Sequence, residues 1–240
     1  MVGRLDLFGS PALAAQHGKR VGAESHFADC SGLHLRPTSI QRHRRSDAED
    51  FMNEKSELRL VARLLGRLLV REIDDSLAKQ LSTAAITEAF RELGMNLSTL
   101  SAGVSERAEL DELAAEYFDV IIHPKDHAPL VQSLFETGRY EADAAASVRK
   151  IAAAAGLELD FDLARGAPPD HLGVQLLLWS ELAERSSSAA EFAERHLAWA
   201  IRPLRLTAAR GGFYGELASV VAKFLHEVLD TPSVQHPAET

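Results

Sequence analysis

The chain has 240 residues, of which 46% are hydrophobic and a quarter charged, the balance of a globular protein able to bury a real core rather than a fibrous or disordered one. Its net charge of -9 is uneven: residues 1–50 carry seven Lys/Arg and six Asp/Glu, leaving 19 basic and 29 acidic groups beyond them, a field that disfavours nucleic acid and anionic membranes and favours basic peptides. No window approaches the roughly 18 uninterrupted apolar residues of a membrane span, the single Cys30 cannot form an internal disulfide, and no secretory signal pattern opens the chain, so the cytoplasm is the expected compartment.

Residues 1–51 mix Gly, Ser, Pro, His and Arg without sustained period and read as a flexible extension; Met52 would serve as the start of the folded protein. Within it, His17, His26, Cys30 and His34 hold the ligand types of a zinc site, but no helical stripe fixes their spacing, and no metal is expected. Arg44 and Arg45 are followed by acidic residues where an export signal requires an apolar run. From residue 52 to about 231 the pattern is helical. Leu58, Val61, Leu64, Leu65, Leu68 and Leu69 form a first stripe, and residues 74–93 read as one or two shorter helices ending at Gly94.

A second stripe comprises Leu110, Leu113, Ala114, Tyr117, Phe118 and Ile121. His123 and His127 follow, with Pro124 between them forbidding a shared helical face. Residues 139–155 predict an Ala-rich helix ending at Gly156; residues 189–201 predict one begun by a capping box of Ser188 and Glu191. Phe213, Leu217, Val220, Val221, Phe224, Leu225, Val228 and Leu229 mark the last, stopped by Pro232, with residues 232–240 a flexible tail. No alternating strand run stands out. The expected architecture is a single all-α bundle domain of about seven to nine helices.

The segment "RGAPPDHLGVQLLLWSELAE" places Asp170 and His171 between two prolines and a leucine run. Pro168 and Pro169 fix the approach of the chain, and the simplest physical account puts Asp170 in the first turn of the helix, where a carboxylate meets the positive end of the dipole. Phosphate loops, Rossmann glycines, nucleophile elbows and HExxH are absent, so no motif supports an enzyme, and no catalytic residue or cofactor is assigned.

"APPDHLGVQLLLWSELA" resembles the signature segment of the TorD/DmsD family of redox-enzyme maturation chaperones, a proline, a spacer and an Asp-His pair before a long apolar helix. "LAAEYFDVIIHPKDHAPLVQSLFETGR", with its acidic-aromatic helix and Ser-x-aromatic stretch, "SVRKIAAAAGLELD", "FAERHLAWAIRPL" and "GGFYGELASVVAKFLHEVL" resemble further family segments in order. Together they span roughly residues 57–230, although Ala167 stands where the family usually has a glutamate. The resemblance implies a non-catalytic cytoplasmic chaperone that binds the twin-arginine (Tat) leader and apo-form of a molybdopterin oxidoreductase until cofactor insertion is complete.

Carboxylates beside an apolar groove would suit such a leader. The expected site is Asp170 and His171 with Pro168, supplemented by Glu116 and Asp119, and lined by Tyr117, Phe118 and Trp179. Two alternatives stand beside this. One is a NarJ-like assembly chaperone for a cytoplasm-facing molybdoenzyme; the other is a nucleotide hydrolase with Asp170 and His171 as its acid/base pair. Nucleic acid and stable membrane insertion are excluded as partners. The chain is expected as a monomer or a domain-swapped dimer, the Gly/Pro-bearing stretch 157–169 permitting the swap.

Overall fold

A computed structural model describes residues 3–4, 56–97, 107–123, 129–158, 164, 166–185 and 188–230. The His17, His26, Cys30 and His34 set, Arg44 and Arg45, Pro124, His127 and the tail after residue 230 lie outside them. The described residues are overwhelmingly helical, as the periodicity predicts. In order they form α1 (56–70), α2 (Asp75–Leu81), α3 (Ala84–Glu92), α4 (Arg107–Tyr117) with a π turn (Phe118–Ile122), α5 (Gln132–Thr137) and α6 (Asp143–Ala154). There follow α7 (Leu172–Arg185), α8 (Ala189–His196), a 3-10 turn (Ala198–Ala200), α9 (Ile201–Ala208) and α10 (Gly212–Asp230). One element departs from the all-helical reading: Gly3–Arg4 pairs in parallel with Leu157–Glu158, a ladder only two residues long.

The helix stripes become the core. Leu65, Leu68 and Leu69 of α1 and Leu217, Val221, Phe224 and Leu225 of α10 are fully buried. Helix α7 is buried on every side from Leu172 to Leu182, which explains why its sequence shows a continuous leucine run rather than a single stripe. It lies antiparallel to α1, as their ion pairs record: Arg63 meets Glu181, and Arg59 meets Glu184 while donating to the Ser180 carbonyl at 3.1 Å.

The two helices touch backbone to backbone. A Cβ on Gly173 would stand 2.5 Å from Val70 Cγ2 and 2.8 Å from the Gly66 carbonyl, and one on Gly66 would stand 2.8 Å from the Gly173 carbonyl. Only hydrogen fits at either position, so this crossing fixes where α7 begins and with it the Pro-Asp-His segment.

Three local expectations are corrected. The α6 helix starts at Asp143, not 139, because Glu141 takes a left-handed φ of 53°. Ser188 has helical backbone angles and makes no side-chain cap bond, so the capping box with Glu191 does not form. The stretch 189–201 is not one helix, since Pro203 cannot donate to the carbonyl four residues back and its ring clashes there; a 3-10 turn intervenes and α9 restarts with Pro203 in its first turn.

The Gly66–Gly173 contact generates a direct test. Gly173→Ala is expected to cost about 1–3 kcal/mol in urea denaturation through overpacking against α1, with helical circular dichroism retained. An unchanged midpoint would contradict the backbone contact.

Candidate functional site

The segment before α7 runs antiparallel to the residues leading into α5. The Gln132 amide donates to the Asp170 carbonyl at 3.0 Å, and the Leu172 amide to the Leu130 carbonyl at 2.9 Å, making a bridge between Val131 and His171. Asp170 is completely buried. Its Oδ2 accepts the Ser133 backbone N–H at 2.7 Å and the Ser133 hydroxyl as well. The carboxylate therefore does stabilise a helix start, but not that of its own helix: it caps α5, 37 residues earlier in the chain, where Val131 offers no side-chain cap. Its other oxygen, Oδ1, is buried with no hydrogen-bond partner among the described residues.

His171 makes no hydrogen bond to this carboxylate. Its Nδ1 accepts the Gly173 N–H at 3.1 Å, which places the proton of the neutral ring on Nε2. Burial pushes its pKa down to about 4, the Asp170 charge opposing only in part. Asp170 and His171 are thus neighbours in sequence without forming an acid/base dyad, and the geometry gives the hydrolase alternative no catalytic pair.

A polar network that the sequence reading did not identify extends from this junction into the core. Gln132 Oε1 accepts from Gln175 Nε2 at 2.8 Å and from His196 Nδ1 at 3.0 Å, while Gln132 Nε2 donates to Glu136 Oε1 at 3.0 Å and the Arg195 carbonyl at 3.2 Å. The Trp199 indole N–H donates to Gln175 Oε1 at 3.0 Å and to the His196 carbonyl at 2.9 Å. Because Gln132 presents its carbonyl oxygen, His196 carries its proton on Nδ1, and its Nε2 accepts from the Ser147 hydroxyl at 3.0 Å. Burial, with Arg195 adding to it, lowers the His196 pKa to about 4. The short helix α5 is tied in this way to α6, α7, α8 and the 3-10 turn. A glutamine inside the all-apolar face of α7 was the available signal.

The other expected site residues fall into separate places. Tyr117 and Trp179 are core residues, 6% and 7% exposed. Tyr117 donates to the Leu69 carbonyl at 3.2 Å and lies against the Tyr214 ring, while Trp179 sits edge-on to Phe224. Half-buried Glu116 accepts the Tyr214 N–H at 2.8 Å, capping α10 just after Gly212. Phe118 and Asp119 are exposed, Phe118 stacking on His123. Pro168 is half-buried at the turn before Asp170. The structure thus gathers Pro168, Asp170 and His171 at one junction, and Glu116, Tyr117, Phe118 and Asp119 around the C-terminal end of α4.

Among the described residues, no group of His, Cys, Asp or Glu is arranged to hold a metal ion, and no helix is long and apolar enough to cross a membrane. The described residues form a helical body organised around a buried polar junction. Residues 71–203, more than half of the chain, match the nitrate reductase delta subunit family, and the chain belongs to that family of molybdoenzyme assembly chaperones. No curated protein and no solved structure matches it.

The buried histidines predict an acid sensitivity. Both have folded-state pKa values near 4 against about 6.5 unfolded, so the unfolded chain binds protons first as pH falls. Their contribution is complete above pH 6.5 and is lost between 6.5 and 4, on the order of 2–3 kcal/mol for each. Denaturation midpoints measured from pH 7 to pH 4 should show this loss, and His196→Gln should flatten it. A variant as pH-dependent as the parent would contradict the assignment.

Proposed function

We propose that this chain is a cytoplasmic chaperone dedicated to a molybdopterin-dependent oxidoreductase, whose twin-arginine leader it holds until cofactor insertion is complete. The observation that carries the reading is the Oδ1 of Asp170, buried and without a hydrogen-bond partner among the described residues. A desolvated carboxylate oxygen without a cation is costly, and a guanidinium is the group that offsets that cost best. Family membership supports a molybdoenzyme as the class of client, which this reading takes to bind in its apo-form. Because Asp170 is covered, leader binding requires the turn at Gly166–Pro169 to yield. Exposed Phe118 and Asp119 would receive the apolar and basic parts of the same peptide, with Glu116 and Tyr117 fixing the end of α4 through Tyr214, and Trp179 serving the core against Phe224.

The name of the matching family favours a second reading, assembly of a nitrate reductase-type enzyme that faces the cytoplasm and carries only a vestigial leader. Calorimetric titration separates the two. On the first reading a twin-arginine leader peptide binds, and the same peptide with both arginines changed to lysine binds at least about tenfold more weakly. Asp170→Asn keeps an acceptor for Ser133 while removing the charge, and should weaken leader binding by about 2 kcal/mol or more with little change in thermal stability. Indifference to both changes would retire leader recognition at Asp170 and leave the second reading.

A further inference from the structure

Two helix faces complement each other in charge and shape. On α9 and the turn after it, Pro203, Leu204 and Thr207 are buried, and Arg202, Arg205, Leu206 and Arg210 are exposed along the opposite side. Leu206 is 50% exposed. Between Glu194 and Glu216 the chain has four arginines, no lysine and no carboxylate, although the protein as a whole is acidic. None of Arg202, Arg205 and Arg210 makes an ion pair among the described residues.

Helix α4 and its π turn present the reverse. Asp111, Glu112, Ala115, Phe118, Asp119 and Ile122 are exposed at helical spacing, with Phe118 53% and Ile122 52% exposed. Three of the five large exposed apolar side chains among the described residues, Phe118, Ile122 and Leu206, therefore stand on these two faces, each beside charges of a single sign.

We infer that the chain self-associates by packing the arginine face of α9 in one copy against the acidic face of α4 in another, a contact that a two-fold pair makes twice. Arginine suits this partner, since its planar fork engages carboxylates bidentately, and Leu206 supplies an apolar anchor for Phe118 and Ile122. An anionic membrane is a poorer occupant. Its field acts on the whole molecule, whose net charge of -9 opposes approach, whereas the α4 face meets the arginines locally. Both helices pack on α10, so one rigid element carries both halves of the contact. The pairing covers Phe118 and Asp119, which leader recognition also uses, so a bound leader should release the pair; that last consequence rests on the proposed function.

Sedimentation velocity over a range of concentrations tests the pairing. The full chain should form a salt-sensitive dimer, and R202E/R205E/R210E and D111K/E112K/D119K should each weaken it by roughly tenfold or more while keeping wild-type circular dichroism. Mixing the acidified-α9 chain with the wild type leaves only one of the two contacts, whereas combining all six substitutions in one chain reverses both faces and should restore the dimer. A monomer at every concentration in low salt, a dimer indifferent to either triple variant, or failure of the sixfold variant to recover association would overturn the inference. So would arginine-dependent co-sedimentation with phosphatidylglycerol vesicles by a protein that stays monomeric. Adding a twin-arginine leader peptide to the wild-type dimer tests the competition separately: dissociation supports it, and a persistent dimer with peptide bound removes the competition while the charge-reversal result still decides the pairing.

Discussion

A single buried carboxylate joins two segments that lie 37 residues apart in the chain. Asp170 closes the N-terminus of α5 through Ser133, and its backbone pairs with the strand-like residues leading into that helix. A six-residue helix has almost no stability of its own, because nearly all its amide and carbonyl groups belong to end turns. Its position depends on the cap that Asp170 provides and on the Gln132 links to Gln175 and His196. Those links presuppose that α7 is seated correctly, which the glycine-to-glycine crossing with α1 ensures. The order of dependence therefore runs from helix packing, through the polar junction, to the turn bearing Pro168, Asp170 and His171.

The same arrangement explains the state of the histidines at the junction. His171 and His196 are neutral, each with one ring nitrogen accepting and, for His196, the other donating within the network. They act as fixed hydrogen-bonding pieces rather than proton carriers, and their depressed pKa values are the cost of burial rather than tuning for chemistry. What the junction retains is one buried carboxylate oxygen with no hydrogen-bond partner among the described residues, the feature on which the proposed leader recognition rests.

Much of the helical framework was legible because burial imposes a 3.6-residue period, and Gly94 and Gly156 marked helix ends by their left-handed backbone. The resemblance in "APPDHLGVQLLLWSELA" pointed to the chaperone class. The role of Asp170 was only half legible: a carboxylate at a helix start was correct in kind, but the helix it caps lies 37 residues away, and no local pattern encodes that distance. Phe118 was misplaced on a core stripe: it opens the π turn 53% exposed, about 100° round the helix from buried Tyr117, while Val120 and Ile121 are buried. Gln132 and His196 stand 64 residues apart in the chain, and only three-dimensional closure brings them together.

Hydrogen exchange followed by mass spectrometry, with and without a twin-arginine leader peptide, tests the central claim most directly. If the Asp170 junction receives the leader, peptide binding should slow exchange in segments covering residues 129–137 and 166–175, and in 116–123, while the α2–α3 region is unaffected. Binding that leaves those segments unchanged, or that protects only α2 and α3, would contradict the account.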